Sequence, residues 1–184
     1  TFMLTGQGGN ITVAVGTDGI IMVDSQFAPL HDKIKAAIAK ISPLPIKYLI
    51  STHYHGDHVG GNELFNKGGA TIVGHDNLRI RLAAGTTNLF NGNKTPPAPA
   101  GAIPTVTYQV GDMKVEVGGR VAELKHVINA HTDGDTWVYF PDANVLAPDD
   151  TFNRNYPNLD GSNGGGIAGM VLASERYVMA ANDN

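Results

Sequence analysis

The stretch THYHGDH, residues 52–58, carries three of the seven histidines of this 184-residue chain together with one aspartate. Imidazole and carboxylate groups are the ligands that Zn²⁺ and borderline metals such as Fe and Mn take up in proteins. Because the chain contains no cysteine, histidine and carboxylate side chains are the strong metal ligands that it offers. The stretch therefore predicts a metal site.

The spacing within this stretch predicts how the ligands divide. In a locally extended segment, His53 and His55 point to the same side of the backbone, because successive side chains alternate. A turn at Gly56 then directs Asp57 and His58 towards a neighbouring point. This spacing is suited to two adjacent metal ions.

Further ligands must come from other parts of the fold, because one short segment cannot close a metal site. His131 is the leading candidate, since it lies in the polar stretch AHTDGD, residues 130–135, between two predicted strands. Asp150, within PDDTF at residues 148–152, is the leading carboxylate. Distant segments are thus expected to complete the site.

Hydrophobic periodicity places these segments in an alternation of strands and helices. Runs of β-forming residues predict strands at 11–15 and 20–23, joined by a hairpin turn, and then at 46–51, 70–73, 136–140 and 144–146, with further strands between 105 and 127. Apolar residues at helical spacing predict helices at 31–41, 62–66, 77–84 and 167–181. Residues 85–104, rich in Gly, Asn, Thr, Pro and Ala, are predicted to form a long loop. Two successive blocks of strands and helices predict two sheets packed inside with helices outside.

Composition bounds the number of domains and the kind of partner. Thirteen lysine and arginine residues against 17 aspartate and glutamate residues give a net charge of −4, and 42% of the chain is hydrophobic. This content predicts a single folded domain over residues 1–184. The lack of a Lys/Arg run argues against a nucleic-acid surface, and apolar runs of about six residues at most are too short for a membrane span. A small-molecule substrate is the partner that we expect.

The sequence also predicts that the chain is trimmed at both ends. Thr1 replaces an initiating methionine, and residues 2–4 already have the character of a strand. At the other end, the helix predicted over residues 167–181 is followed within a few residues by Asn184. A sheet without its terminal strand has an open edge that invites pairing, so we expect a homodimer or a longer natural chain.

Together, these motifs resemble the metallo-β-lactamase superfamily of hydrolases. The residues that carry the resemblance run the length of the chain and are Gly8-Gly9-Asn10, the strand that ends in Asp24, and residues 52–61, 131–136 and 150–152. The resemblance implies an α/β fold, a four-layer αββα sandwich, here lacking its C-terminal part. It also implies a dinuclear metal site, usually zinc, in a cleft at one edge of the fold.

The resemblance assigns each candidate ligand to one of two ions. The first ion would be bound by His53, His55 and His131, the second by Asp57 and His58, and the bridging carboxylate would be Asp150. One or two zinc ions per chain are expected, with Fe or Mn as alternatives. The catalytic residue would be Asp57, which orients or deprotonates the hydroxide that the metal activates.

Two departures from the family pattern concern the second ion. Family members normally supply one more histidine after the helix predicted here over 167–181, and the sequence ends before that point, so the second site is one ligand short. Asp150 follows Asp149 where the family usually has glycine, which makes Asp149 a competing ligand. Aspartate at the bridging position is more typical of relatives that act on thioesters, lactones or phosphodiesters than of true β-lactamases.

The predicted function is zinc-dependent hydrolysis of a cyclic amide, lactone, ester or thioester, with β-lactams as a candidate substrate. Two alternatives stay open: an inactive or fragmentary metal-binding module of the same fold, and an iron-using redox relative. The resemblance favours a periplasmic or secreted location over a cytoplasmic one. His31, His75 and His126 are interpreted as structural residues, with His75 expected to cap the helix that follows it.

Overall fold

The computed structural model describes residues 1–153 and 156–180, and its strands and helices follow the predicted alternation. The strands, in chain order, are β1 (Phe2–Leu4), β2 (Ile11–Val15), β3 (Ile20–Val23), β4 (Ile46–Ile50), β5 (Thr71–His75), β6 (Thr86–Thr87), β7 (Lys94–Thr95), β8 (Val106–Tyr108), β9 (Asp112–Val117), β10 (Arg120–His126), β11 (Thr136–Phe140) and β12 (Val145–Ala147). The helices are α1 (His31–Ile41), α2 (Gly56–Val59), α3 (Asn62–Lys67), α4 (Asp76–Ala84) and α5 (Ile167–Ala180). Ala181, the last residue of the helix predicted over 167–181, lies outside the described residues.

The first sheet contains six strands in the order β1-β2-β3-β4-β5-β8. Strands β1, β2 and β3 pair in antiparallel fashion, whereas β3, β4, β5 and β8 are parallel neighbours. The N–H of Gly16 donates to the carbonyl of Gly19 at 2.9 Å, which closes the predicted β2–β3 hairpin. Parallel strands need crossover connections, and the helices α1 to α4 lie in those connections.

The second sheet contains four strands in the order β12-β11-β10-β9, and all its neighbours are antiparallel. The β9–β10 hairpin turns at Gly118 and Gly119, whose φ angles are 52° and 78°. A two-residue hairpin turn requires positive φ at such positions, and glycine adopts it without steric cost.

Apolar residues of the two sheets form one core layer between them. Its buried members are Ala14, Ile21, Val23, Ile50 and Val73 from the first sheet, and Val115, Val117, Ala122, Leu124, Val138 and Phe140 from the second. Helices α1 and α3 cover the outer face of the first sheet through Ile34, Ile38 and Phe65. Helix α5 covers the second sheet, where Met170 and Ala173 pack on Trp137. The predicted four-layer αββα sandwich is confirmed.

Residues 85–104 differ in detail from the predicted loop. They contain the two-residue strands β6 and β7, which pair as a hairpin, and a 3₁₀ turn at Ala100–Ala102. The side chain of Asn88 accepts the N–H groups of Phe90 and Asn91 at 2.9 and 3.2 Å, which fixes the hairpin tip. Strands of two residues are too short to show an alternating pattern in the sequence, so periodicity could not reveal them.

The two sheets meet where their loops carry the candidate ligands. The N–H of Thr136, at the start of β11, donates to the carbonyl of Thr52, just after β4, at 3.0 Å. This hydrogen bond places the loop after β4 next to the loop that precedes β11, so residues 52–58 and residues 130–135 share one edge of the sandwich. Among the described residues, no helix is long and apolar enough to cross a membrane.

Candidate metal centre

Three histidine nitrogens converge on one point at the edge where the sheets meet. The Nδ1 atom of His55 lies 3.1 Å from Nε2 of His53 and 2.9 Å from Nε2 of His131. In a tetrahedral zinc site with Zn–N bonds of about 2.0–2.1 Å, neighbouring nitrogens are about 3.3 Å apart. We call these three residues the first group; their ligand atoms have the spacing that a metal ion requires.

The outer hydrogen bonds of the first group show which ring nitrogens carry protons. His131 donates from Nδ1 to the carbonyl of Asn158 at 2.7 Å, and His55 donates from Nε2 to Asp160 Oδ2 at 3.1 Å. A carbonyl and a carboxylate can only accept, so a neutral ring has an unprotonated nitrogen facing the centre. Lone pairs that face one another at about 3 Å repel unless a cation lies between them. The first group therefore fits a metal ion.

A second group consists of His53, His58 and Asp150, whose ligand atoms lie within 4.8 Å of one another. His58 donates from Nδ1 to Asp24 Oδ2 at 2.8 Å. Its Nε2 atom is buried, has no hydrogen-bond partner within the described parts of the chain and lies 3.3 Å from Asp150 Oδ1. A buried nitrogen without a partner costs free energy unless another species binds it, so this atom also fits a metal ion.

Asp150 connects the two groups. While its Oδ1 atom faces His58, its Oδ2 atom lies 3.7 Å from Nε2 of His131. The carboxylate thus spans the space between the first and second groups, which is the position of the bridging ligand that the resemblance implies. In contrast, the side chain of Asp149 accepts the N–H of Thr151 at 2.6 Å and belongs to neither group.

Asp57 lies beside the second group without belonging to it. Its Oδ2 atom is 3.7 Å from Nε2 of His58, and about a third of its side chain is exposed. The carboxylate therefore borders both the orphaned nitrogen and solvent. Its position suits an exchangeable ligand or a proton acceptor more than a buried structural ligand.

Burial and neighbouring charges set the protonation of the histidines. Burial, together with the rings of His58, His131 and His55, holds the pKa of His53 well below its usual value. Burial also lowers the pKa of His55, despite its hydrogen bond to Asp160. Because metals bind neutral imidazole, these shifts keep His53 and His55 in the metal-binding form at neutral pH.

The pKa of His58 moves the other way. Burial lowers it, but the nearby charge of Asp24 and the contact with Asp150 outweigh burial and hold the pKa well above the usual value. The pKa of Asp150 is lowered: burial would raise it, and the contact with His58 dominates. In the absence of an ion, both shifts favour a protonated His58 beside an ionised Asp150, and a cation that bound Nε2 of His58 would replace this proton.

Two carboxylates that orient ligands were not assigned that role from the sequence. Asp24 is buried and accepts from His58, while Asp160 accepts from His55. Asp24 directly follows the buried strand β3, and a carboxylate at a strand end was a sequence signal that could have identified it. In the structure its backbone has a φ of 62°. Asp160 lies in an irregular segment, and nothing in the local sequence pattern connects it to His55.

A glycine-rich loop at residues 5–10 covers the second group. A Cβ atom on Gly8 would overlap the side chain of Asp57, and a Cβ atom on Gly9 would overlap the ring of His58. The side chain of Gln26 accepts a hydrogen bond from the N–H of Gly8 at 3.1 Å and so fixes the position of the loop. Only glycine allows the backbone to approach these two side chains so closely.

A cavity of about 680 Å³ opens next to His58 and Asp150. Its apolar lining comes from Phe2, Met3, Val23, Val145, Leu146 and Ala147, and its polar lining includes Thr1, Asn10 and Thr12. The cavity is large enough for a small organic molecule. Through His58 and Asp150, the cavity is in direct contact with the second group.

The other histidines lie outside both groups. His75 caps α4, as predicted, because its Nδ1 accepts the N–H of Asn77 at 3.2 Å. Its ring stacks on His126, with ring centres 3.8 Å apart. His31 lies at the start of α1, where its Nδ1 is 2.9 Å from Asp32.

Comparisons with known proteins agree with this architecture. The family model of the metallo-beta-lactamase superfamily matches residues 4–168. The metallo-beta-lactamase from Pontibacter korlensis superposes with a TM-score of 0.72 at 20% identity, over 97% of this chain and 79% of that one. The native metallo-beta-lactamase from Legionella gormanii superposes with a TM-score of 0.67 at 20% identity, over 94% of this chain and 70% of that one. At such identities, the likeness to solved structures concerns the fold.

A short segment of the chain is also similar to an enzyme whose name is not that of a β-lactamase. Over 38 residues it is 47% identical to the hydroxyacylglutathione hydrolase of Pelagibacter ubique (strain HTCC1062). That match covers 20% of this chain and 16% of the enzyme, so it compares only a short segment of the two proteins.

Proposed function

This chain belongs to the metallo-beta-lactamase superfamily, and on that basis we propose that it is a zinc-dependent hydrolase of carbonyl compounds. The observation that carries the proposal is the convergence of His53, His55 and His131 on one point. Because the outer nitrogens of His55 and His131 donate to fixed acceptors, the inner nitrogens are free to bind a cation. A structural role for three such rings would not require this arrangement.

The two groups divide the binding of the metal. The first group would hold one ion through three imidazoles. His58 of the second group, with Asp57 beside it, would hold a second ion, and Asp150 would lie between the two ions. Zinc bound in this way supplies a nucleophile by lowering the pKa of water, and it polarises the substrate carbonyl. The shielded positions of His53 and His131 restrict the access of bulk water to that chemistry.

The side chains around the groups orient ligands and move protons. Asp57, partly exposed beside His58, is placed to accept a proton from the attacking water. Asp24 keeps His58 in one orientation by accepting its Nδ1 proton. The glycine-rich loop at residues 5–10 lies over the side chains of Asp57 and His58 and limits the entry of water from that direction.

The substrate class follows from the cavity and the bridging residue. The apolar residues that line the same cavity as His58 and Asp150 favour an ester, lactone or thioester with an apolar acyl part. The short likeness to a hydroxyacylglutathione hydrolase supports a thioester, and the fold shared with metallo-beta-lactamases keeps a β-lactam as a candidate. All of these substrates have a carbonyl that water attacks.

Metal content and hydrolysis test the proposal together. Purified protein loaded with zinc is assayed by elemental analysis and with a chromogenic β-lactam, a lactone, a thioester and a phosphodiester. We expect one to two zinc ions per chain and hydrolysis of a carbonyl substrate. His53→Ala should lose both zinc and turnover, and His31→Ala, outside the groups, should keep both.

Three results would contradict the proposal. Hydrolysis that survives in His53→Ala would remove the metal centre from the reaction. About one zinc per chain with no turnover on any substrate would favour a non-catalytic metal-binding module of the same fold. Iron in place of zinc, with oxygen consumption, would favour a redox enzyme.

A further inference from the structure

The segment at residues 158–165 contacts the first group from outside. The carbonyl of Asn158 accepts a hydrogen bond from His131, and the carboxylate of Asp160 accepts one from His55. In the other direction, the N–H of Asp160 donates to the carbonyl of His131 at 2.9 Å. One short segment thus contacts two of the three converging histidines. We call it the support turn.

The carboxylate of Asp160 is itself fixed in position. Its Oδ2 atom accepts from the hydroxyl of Tyr54 and, at 2.8 Å, from Nδ2 of Asn163. Its Oδ1 atom accepts the N–H of Ser162 at 3.1 Å. With both oxygens engaged and only 15% of the side chain exposed, the acceptor that faces His55 has little freedom to move.

The support turn is also attached to the rest of the fold from two directions. Arg81 on α4 donates from Nη1 to Asn163 Oδ1 at 2.8 Å, while its other nitrogens contact Asp133 at 2.6 Å. From the β6–β7 hairpin, the N–H of Leu89 donates to Ser162 Oγ at 2.8 Å. Arg81 and Leu89 thus brace the turn that carries Asp160 from α4 and from the β6–β7 hairpin.

His55 needs such a partner more than the other two histidines do. It offers Nδ1 to the first group, whereas His53 and His131 offer Nε2. If the proton of His55 moved to Nδ1, an N–H would point into the first group and exclude a cation. A carboxylate at Nε2 opposes this, because it stabilises the proton on the outer nitrogen.

We propose that Asp160 is a positioning residue of the metal centre, which fixes the tautomer and the orientation of the His55 ring so that Nδ1 faces the metal. The proposal rests on the proposed function. Asp160 does not contact the metal or the substrate and acts through His55. Removal of an outer partner of this kind lowers metal affinity by about 10- to 100-fold.

The test measures zinc affinity directly, with a chromophoric chelator as competitor. Asp160→Asn is the test variant, because it keeps the size of the side chain and removes its charge. Ser162→Ala is the matched control in the same turn: it loses the contact with Leu89 and keeps the N–H that Asp160 accepts. We expect an affinity loss of about 10- to 100-fold in Asp160→Asn and a much smaller one in Ser162→Ala.

Cobalt absorption spectra and thermal melts in chelator complete the test. A changed visible spectrum of the cobalt-loaded Asp160→Asn protein is expected, because the geometry of the His55 ligand changes. The melts of metal-free Asp160→Asn and Ser162→Ala show whether both fold. If Asp160→Asn does not fold, Asp160→Glu is used instead, because it keeps the carboxylate. The folded Asp160→Glu protein should bind zinc with an affinity of the same order of magnitude as the wild type.

The outcomes separate this inference from the proposed function. Wild-type zinc affinity in Asp160→Asn overturns the role of Asp160 and leaves the hydrolase untouched. An equal loss in Ser162→Ala overturns it as well, since the effect would then belong to the fold of the turn. Wild-type protein that binds no zinc contradicts the proposed function itself.

Discussion

Asp24 Oδ2 lies 2.8 Å from His58 Nδ1, and both side chains are almost fully buried. The same carboxylate accepts the N–H of Thr52 at 2.8 Å and also its hydroxyl. Thr52 immediately precedes His53, so one aspartate after β3 ties together the two ends of the histidine-rich stretch. Its effect on stability and on the second group can be measured.

Asp24→Ala should lower the free energy of unfolding of the metal-free protein by about 2–4 kcal/mol, because it strands three buried donors and places alanine at a positive φ. Asp24→Asn should cost less, since asparagine adopts positive φ and keeps one acceptor. Urea unfolding in the presence of chelator measures both. Asp18→Asn, which removes an exposed ion pair with Lys47, is the control and should change stability by less than about 0.5 kcal/mol. Equal losses in Asp24→Ala and Asp18→Asn would refute the role of Asp24.

Gly9→Ala should impair the second group, because the added methyl would overlap the ring of His58. Either the imidazole shifts or the loop at residues 5–10 lifts away, and both changes should lower zinc content or reduce kcat/KM by about tenfold. The matched control is Gly56→Ala, since no atom of the residues that the structure describes lies within 4 Å of a Cβ atom there. If the two variants had the same zinc content and turnover, the close approach of the loop to His58 would not matter for function.

Gly169→Ala should destabilise the contact between α5 and the loop before β11. A Cβ atom at this position would overlap the backbone of Asn129, which cannot move aside as a flexible side chain could. We expect a loss of about 1–3 kcal/mol in the free energy of unfolding, although alanine is the better helix former. Gly166→Ala, whose Cβ atom would lie 3.4 Å from Asn129 O, is the control and should stay close to wild type. Urea unfolding measures both variants, and a wild-type midpoint of the unfolding transition for Gly169→Ala would contradict the packing described for α5.

Asp135 should make the stability of the metal-free protein depend on pH. Burial raises the pKa of its carboxyl to about 6, despite hydrogen bonds from Thr132. The folded state therefore holds this proton more tightly than the unfolded chain does, so the stability from Asp135 is present below about pH 4 and is lost as pH rises to about 6. Asp135→Asn, which does not titrate, should gain about 1–3 kcal/mol relative to wild type between pH 4 and pH 6.5.

Chemical unfolding at several pH values in chelator measures that difference. The comparison between the two proteins matters more than either curve, because other groups titrate in the same range. For example, His53 and His55 have lowered pKa values and act with the opposite sign. A constant difference in stability between Asp135→Asn and wild type across this range would show that the carboxyl has no raised pKa.

The sequence was sufficient wherever a signal is local. The spacing of His53, His55 and His58 predicted a metal site, and the structure brings all three into the two groups. His131 and Asp150 were predicted because each lies in a polar segment beside a strand, and the structure brings both into the candidate groups. Alternating and helical periodicity likewise predicted the sheets and helices of the sandwich.

The contacts that could not be predicted are tertiary. Asn158 orients His131 through its backbone carbonyl, an atom that every residue has, so no residue type marks its role. Asp160 is 105 positions away from His55 in the chain, and their contact depends on how the support turn packs. The β6–β7 hairpin escaped detection because its strands contain two residues each.

The hydrogen bond from Thr136 to Thr52 lies where the candidate ligands of the two sheets meet, and that distribution of ligands has a kinetic consequence. Since His53, His55 and His58 follow the first sheet while His131 and Asp150 belong to loops of the second, a bound ion would cross-link the two halves of the sandwich. Separation of the sheets would then require the ligands to release the ion. Metal loading should therefore slow the rate of unfolding, so that resistance to proteolysis reports on the occupancy of the centre even when no substrate is known.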